Sequence, residues 1–367
     1  MANSAATLGR SGDFKSLTEM VQLAQANLDR ESWDYLMGAA DSETTLKRNR
    51  LSIDSLQFRP RVLHDVHDVQ VATSLLGQDL RMPVFLPPIG SVQLFEEGGG
   101  ASVARGAAEF GTLQILSSVC TPDYEAVANA SAAPKVYQLY LMGDQGWMDD
   151  IIAHTLELGY VGFCLTADTQ VYSRRERDIL KRWRPPSGSS ALQSDFDHQA
   201  RMNWETVAHI KEKFAIPLWV KGVNTADDAS RAVDAGVDVI YVSNHGGRQL
   251  DHGRGCIDSL PEVAAAVDER APVVVDGGFL RGADVVKALC RGASAVGMGR
   301  LEGLAMAAGG AAGIVRALEL VEHELVTTMA LMGAASLDEL NPGFLEAAQA
   351  VVPPHALSAF PLLAEDY

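Results

Sequence analysis

Short runs of β-branched and aliphatic residues recur along most of this chain. Each ends in a glycine or a small polar residue, and each leads into a stretch with helical spacing, often rich in alanine. Eight such runs stand out: 84–87, 113–116, 136–139, 161–165, 217–220, 237–242, 272–275 and 293–296. Between them, residues 101–110, 148–158, 226–235, 260–269 and 283–291 carry apolar positions at helical spacing. Strands that are apolar throughout, rather than at every second position, predict a parallel sheet covered on both faces. Eight strand–helix units in one chain predict an α/β fold closed into a TIM-type (β/α)8 barrel.

The barrel is expected over about residues 83–320. An N-terminal helical segment (about 14–60) precedes it, and a helical C-terminal tail, broken at Pro342 and Pro353-Pro354, follows. Residues 184–201 are polar and turn-rich and read as a mobile loop at the barrel mouth. No repeat or linker divides the chain, so residues 1–367 read as one domain.

Charge narrows the function. The chain has 47 acidic and 30 basic residues, a formal net charge of -17. Such a surface repels nucleic acid and anionic membranes, so neither is an expected partner. An anionic substrate would need a local cluster of Arg and Lys. The four cysteines, Cys120, Cys164, Cys256 and Cys290, form no CxxC pair and no zinc spacing, which suits packing roles in a reducing compartment. The first 13 residues lack the apolar core of a signal peptide, no apolar run of ~18 residues appears, and the final three residues are not a peroxisomal address. The expected location is the cytoplasm.

In a barrel of this kind the site lies at the C-terminal strand ends. The residues that fall there are Pro88-Ile89-Gly90, Ser117, Gln138, Tyr140, Thr166, Asp168, Arg174, Arg175, Lys221, the run Ser243 to Arg248, Asp276-Gly277-Gly278, and Gly299-Arg300. This is a basic mouth on an acidic protein. Gly297-Met298-Gly299 lacks the third glycine of a dinucleotide fingerprint, but after an eighth strand it suits a phosphate loop. His64-Asp65-Val66-His67-Asp68 has a metal-like look, yet it precedes the first barrel strand and reads as an exposed strand or turn, so no metal site is expected.

The run Ser243-Asn244-His245-Gly246-Gly247-Arg248-Gln249-Leu250-Asp251 resembles the active-site motif of the FMN-dependent α-hydroxy acid oxidase/dehydrogenase family, which includes glycolate oxidase, lactate oxidase and mandelate dehydrogenase. The resemblance extends from about residue 14 to 340 through Asp34-Tyr35, Asn49-Arg50, Phe58-Arg59-Pro60, Tyr137 to Tyr140, Thr166-Ala167-Asp168, Arg174-Arg175-Glu176, Val220-Lys221-Gly222 and Asp276-Gly277-Gly278. It implies oxidation of a small L-2-hydroxy acid to the 2-oxo acid, with electrons passing to N5 of FMN. It also implies His245 as catalytic base, Asp168 as support for the imidazolium, and Arg248 and Arg175 as carboxylate anchors. Tyr35 becomes a carboxylate donor and Tyr140 a neighbour of the substrate hydroxyl. Lys221 matches the cation beside the N1/O2 edge. Ser117, Gln138, Thr166 and Pro88, Ile89 and Gly90 match ring contacts; Ser243, Asp276, Gly278, Gly299 and Arg300 match the ribityl and phosphate end. A homotetramer or homo-octamer is implied, while the electron acceptor stays open between oxygen, a quinone and a carrier protein.

Three departures from the family bear on these expectations. Leu280 stands where the family has an arginine for the phosphate, leaving Arg281 or Arg300 to serve. Gly90 replaces an alanine near the ring. The loop at 184–201 is shorter than in several members, so the membrane attachment seen in mandelate dehydrogenases is not carried over. Val119, Tyr172, Ile89 and Val92 are the expected side-chain pocket, and Val119, where glycolate oxidase has an aromatic, points to a substrate larger than glycolate. The alternatives within the same barrel are an oxidative decarboxylase (monooxygenase) or a biosynthetic tailoring oxidase. A catalytically silent barrel is the alternative from another class.

Overall fold

The computed structural model describes residues 12–186 and 196–365. Eight parallel strands carry the fold: β1 (Val84–Phe85), β2 (Gln114–Ser117), β3 (Lys135–Leu139), β4 (Gly162–Thr166), β5 (Leu218–Val223), β6 (Val239–Val242), β7 (Val273–Val275) and β8 (Ala295–Gly297). β2 to β8 pair in chain order, and β8 pairs with β1 through Val296 and Val84. A bridge between Leu86 and Gln114 closes the ring, with Leu86 N–H donating to Leu113 O (2.9 Å) and Ile115 N–H to Leu86 O (2.8 Å). All eight expected strands are present. Several end one to three residues later than their apolar runs, because Ser117, Thr166 and Lys221 continue the ladder with polar side chains.

Three helices precede the barrel: α1 (Leu17–Asn27), α2 (Arg30–Met37) and α3 (Thr44–Asp54). The barrel helices are α4 (Gly99–Phe110), α5 (Tyr124–Ala130), α6 (Gln145–Glu157), α7 (Glu176–Leu180), α8 (Phe196–Arg201), α9 (Trp204–Lys213), α10 (Ala226–Asp234), α11 (Cys256–Val267), α12 (Gly282–Cys290) and α13 (Gly299–Met332). Many start on a side-chain cap. Asp29 accepts from Ser32 N–H (2.7 Å), Asp123 from Ala126 N–H (3.0 Å) and Asp144 from Trp147 N–H (2.9 Å). A cap of this kind stabilises its helix by about 1 kcal/mol.

Strand side chains alternate with period two, and this separates two cores. Outward positions such as Val84, Tyr137, Leu139, Phe163, Ile240 and Val275 pack under the helices. Inward positions, Phe85, Ile115, Val136, Cys164, Trp219, Val239, Tyr241, Val274 and Ala295, fill the barrel. A hairpin, Thr73–Leu75 with Gln78–Leu80, adds Leu75 and Leu80 to this inner cluster just ahead of β1. It was not apparent in the apolar pattern, since each of its strands has only three residues.

Two expectations need correction. The C-terminal tail is not helical beyond Met332. It runs through 3-10 turns at Leu337–Glu339 and Pro342–Phe344 into a strand, Leu345–Ala347, antiparallel to Leu56–Phe58. Pro342 lacks an N–H to continue a helix, and Asn341 caps the turn by accepting from Gly343 N–H (3.0 Å). The tail's backbone is used by the segment before the barrel instead, as when Arg59 N–H donates to Phe344 O (2.8 Å).

The second concerns apolar length. α13 is long and apolar enough, by composition, to cross a membrane. Just over half of its most apolar stretch is buried within the protein, against α1, α4 and α12. Non-helical dihedrals at Gly309 and Gly310 kink it. Of the segment 184–201, residues 187–195 lie outside the described residues, and the remainder contains α8.

Candidate active site

The inward parity of the strands continues past the apolar core. One step above it the inward residues become Pro87, Ser117, Gln138, Thr166, Lys221, Ser243 and Asp276. Two residues further on come Ile89, Val119, Tyr140, Asp168, His245, Gly278 and, from β8, Gly299. Most candidates named from the sequence belong to one of these two tiers, which is why a polar ring tops an apolar barrel; Tyr35, Pro88, Gly90, Arg175, Arg248, Arg281 and Arg300 do not.

A pocket opens over these tiers. Its wall includes Tyr35, Pro88, Ile89, Gly90, Tyr140, Arg175, Lys221, His245, Arg248, Asp276, Gly278, Gly299 and Arg300. Ser117, Gln138, Thr166 and Ser243 are buried, and Asp168 is largely so. The pocket also takes in Val119 and Tyr172, but not Val92. Val92 packs into the core, and Phe95, one turn on in the same short 3-10 segment, reaches the pocket in its place.

Arg281 is a second correction. Its guanidinium is turned away from the pocket onto Glu324 of α13, with Nε 2.9 Å and a terminal nitrogen 2.5 Å from the same carboxylate oxygen, and it also donates to Ala359 O (3.1 Å). It joins α12, α13 and the tail. Leu280, beside it, lines the pocket with an apolar side chain. Arg281→Ala is therefore expected to leave the FMN dissociation constant within about twofold. The half-exposed ion pair it removes is worth roughly 1 kcal/mol or less of stability. Flavin fluorescence quenching on titration of the apoprotein measures the first, and a tenfold loss of affinity would return Arg281 to the cofactor site.

The loop after β6 holds His245 in a left-handed conformation. His245, Gly246 and Gly247 have φ of 58°, 64° and 79°. For a non-glycine residue this costs about 1–3 kcal/mol and needs a rigid surround. Asn49 and Asn244 supply it with paired amides (2.8 and 2.9 Å), tying α3 to the loop, and Gly247 N–H donates to Asn244 Oδ1 (3.1 Å). A Cβ at Gly247 would meet Leu46 N at 2.5 Å, so only glycine lets α3 approach this closely. Cys256 Sγ accepts from Asn244 N–H (3.2 Å), and all four cysteines are free thiols.

His245 Nδ1 lies 3.0 Å from Asp168 Oδ1, and Nε2 lies 3.4 Å from the Tyr140 hydroxyl. Thr169, a residue the sequence did not single out, donates its hydroxyl to Asp168 Oδ1 (3.0 Å) and sits 3.2 Å from His245 Nδ1. Its only advance signal was a hydroxyl beside the aspartate. Lys221 Nζ stands 3.4 Å from His245 Nδ1 and 3.9 Å from Asp168 Oδ2. β5 shifts register against β6 between Lys221 and Val223, and a Cβ on the intervening Gly222 (φ 113°) would meet Asp168 at 2.8 Å, so glycine lets β5 lie close to Asp168, just past β4.

Burial pushes the Asp168 carboxyl up, but Lys221 and His245 outweigh it and hold it at about 2. Burial and the Lys221 charge together pull the His245 imidazole below its ordinary value, against Asp168. The pair is thus a carboxylate beside a neutral imidazole. If Nδ1–H points at Asp168, Nε2 is the free base.

Three guanidinium groups line the same pocket. Arg248 stacks on Tyr35 (4.7 Å from the ring centroid) and donates to Tyr35 O (2.5 Å) and Gly38 O (2.9 Å). Arg175 stacks on Tyr172 (4.5 Å), and its Nε is buried with no hydrogen-bond partner among the described residues. Arg300 donates to Gly246 O (3.0 Å) and Gly38 O (2.9 Å), so it shares an acceptor with Arg248. Burial and Arg248 lower it to about 9. Burial and Arg175 likewise lower Arg248. The Tyr35 hydroxyl donates to Gly90 O (2.8 Å). Such a crowd of buried like charges suits an anionic ligand.

Below the mouth, both polar atoms of the Gln138 amide and the Thr166 hydroxyl are buried without a hydrogen-bond partner among the described residues. Unpaired buried groups of this kind are costly, and a donor–acceptor array beside a lysine suits the polar edge of a flavin ring. The residues present fit FMN. By contrast, His64 and His67 lie in an exposed stretch where His67 Nδ1 contacts only Asp65 (2.8 Å), and no metal-binding cluster occurs among the described residues.

Comparison with known proteins gives the same result. The profile of the FMN-dependent dehydrogenase family matches residues 24–347. An L-lactate oxidase from Nostoc sp. is 36% identical over 355 residues, covering 90% of this chain and 97% of that one. Glycolate oxidase 3 of Arabidopsis thaliana is 35% identical over 349 residues, covering 90% and 95%. Among solved structures, mandelate oxidase with (S)-2-phenylpropionate superposes with a TM-score of 0.84 at 33% identity, over 92% of this chain and 100% of that one. A point variant of an active (S)-mandelate dehydrogenase chimera gives 0.85 at 30% identity, over 90% and 99%.

Proposed function

The chain belongs to the FMN-dependent dehydrogenase family and is an FMN enzyme of the 2-hydroxy acid oxidase class, and from that premise we propose that it oxidises an L-2-hydroxy acid with an apolar side chain to the 2-oxo acid. The observation that carries this reading is the meeting, in one pocket, of His245, paired with Asp168, and the Arg175 and Arg248 guanidinium groups. FMN, when bound, supplies the acceptor for the two electrons that leave the substrate's α-carbon.

The protein's own residues do the rest. Arg175 and Arg248 take the substrate carboxylate in charge-assisted bonds, which fixes the α-carbon's position. His245 Nε2 accepts a proton from the substrate, and Asp168 then balances the imidazolium. Tyr140, held near Nε2, steadies the hydroxyl. Burial pushes its phenol well up, so it stays protonated and can donate. Lys221 brings positive charge to the pocket floor, where a preorganised cation favours charge that develops during reaction. Oxygen is the acceptor we favour, because relatives at this level of identity are oxidases.

Ile89, Phe95, Val119, Leu141 and Met142 are among the apolar residues of the wall. Burying two further methylenes there, at ~0.8 kcal/mol each, favours longer acids over glycolate by roughly tenfold in kcat/KM. The test is anaerobic bleaching of the FMN-loaded protein with glycolate, both lactate enantiomers, mandelate and longer aliphatic 2-hydroxy acids. Expected is bleaching by the L-acids in order of apolar side-chain size, then recovery of colour in air with the 2-oxo acid as product. Glycolate outpacing every larger acid would end the side-chain assignment. A carboxylic acid one carbon shorter would identify the decarboxylating alternative, and a flavin that no 2-hydroxy acid bleaches would overturn the proposal.

A further inference from the structure

Lys221 stands almost midway between two carboxylates. Its Nζ is 3.9 Å from Asp168 Oδ2 and 4.0 Å from Asp276 Oδ2. Distance alone does not decide which of them it serves; the other donors to each carboxylate do. Asp168 Oδ2 is buried and has no hydrogen-bond partner among the described residues. Asp276 has a donor on each oxygen: Ser243 Oγ donates to Oδ1 (2.6 Å), and the Tyr241 hydroxyl donates to Oδ2 (2.8 Å). An oxygen that already accepts from a phenol offers a second donor a weaker attraction.

Tyr241 comes from below, inside the barrel. It is fully buried on β6, and its ring packs edge-on against Phe85 (5.5 Å) and Trp219 (6.4 Å). Such a position asks only for an apolar side chain, and its neighbours in the inner cluster are apolar. A hydroxyl there would be a liability without a partner. Space has been left for it: a Cβ on Gly297 of β8 would come within 2.9 Å of the Tyr241 oxygen. The ring face also lies 5.6 Å from Lys221 Nζ.

We propose that Tyr241 is a positioning residue for Lys221: by occupying Asp276 Oδ2 it prevents the ammonium from closing onto Asp276, and so keeps that charge at the pocket floor for the flavin. The inference rests on the reading that the flavin ring lies over Lys221. In Tyr241→Phe, Asp276 Oδ2 loses its donor, Lys221 moves onto it, and less positive charge is left to favour the reduced cofactor.

The measurement is the two-electron midpoint potential of the FMN-loaded holoenzyme. Tyr241→Phe is expected to shift the reduction equilibrium tenfold towards the oxidised form, a fall of about 30 mV. KM should stay within twofold while kcat falls. In the Asp276→Asn background, where the Asp276 carboxylate no longer competes for Lys221, the same Tyr→Phe change should leave the potential unmoved. That double variant also removes the unpaired buried carboxylate, and so remains measurable should Tyr241→Phe alone fold poorly. An unchanged potential in Tyr241→Phe, or an equal fall in the Asp276→Asn background, overturns the proposal. Lys221→Met separates the two levels. If its potential equals that of the unaltered enzyme, Lys221 does not face the flavin and the underlying reading fails with the inference. If it falls while that of Tyr241→Phe does not, only the role of Tyr241 fails.

Discussion

Replacing His245 with alanine should slow flavin reduction by its substrate about a hundred- to ten-thousandfold, the contribution of a positioned general base, while FMN stays bound. The side chain touches the pocket through Nε2, and the backbone that shapes the loop is held by Asn49, Asn244 and Ser243 rather than by the imidazole. Loss of reduction should thus come without loss of colour. The pH profile supplies a second readout. Burial and Lys221 depress the imidazole below its ordinary value. The base is therefore neutral over the whole neutral range; kcat/KM should be flat above the depressed value and fall as pH drops through it. The alanine variant should lack that acid limb. Anaerobic stopped-flow reduction between pH 4.5 and 9 tests both, and a variant reduced at a near-normal rate removes His245 from the base role.

Arg248→Met should lower kcat/KM by at least ~100-fold, since a charged hydrogen bond is worth ~1.5–3 kcal/mol and two are lost from the carboxylate. Its stability should move the other way. The Arg248 guanidinium is buried beside Arg175 and shares the Gly38 carbonyl with Arg300, so removing it relieves like-charge repulsion. Thermal unfolding of the ligand-free protein is expected at an equal or higher temperature than before the change. That combination, weaker catalysis in a protein no less stable, marks an anion site rather than a structural contact. Unchanged kinetics would put the carboxylate elsewhere. A matched fall in stability and activity would make Arg248 structural. Lysine at this position should restore little, because it cannot reproduce the planar fork or the stack on Tyr35.

The barrel was legible because strands buried on both faces read as unbroken apolar runs, and the turn to polar residues at their C-terminal ends marked the site. Parity explains why the motif residues converge: Gln138 and Tyr140, Thr166 and Asp168, and Ser243 and His245 are pairs two residues apart on one inward face. What escaped the sequence lay where that periodicity stops. The pairing of Leu56–Phe58 with Leu345–Ala347 joins segments nearly 290 residues apart, and no local pattern announces it. Arg281 differs from a pocket-facing arginine only in having Glu324 opposite, a partner 43 residues away. Phe95 displaced Val92 because a 3-10 turn, not a strand, carries that segment. Thr169 follows β4 where the strand has ended, so alternation no longer says which way a side chain points.

The clasp between Leu56–Phe58 and Leu345–Ala347 has a bearing on biosynthesis. Pocket residues run from Tyr35 in α2 to Ala356 in the tail, so the cofactor's wall is drawn from almost the full length of the polypeptide. A ribosome adds ~5–20 residues per second. During that interval the growing chain can build strand–helix units and, once β8 has emerged, close the ring, but it cannot finish the pocket before Ala356 is made. FMN capture is thus a late event, and it reports that the tail around Ala356 has found the segment before the barrel.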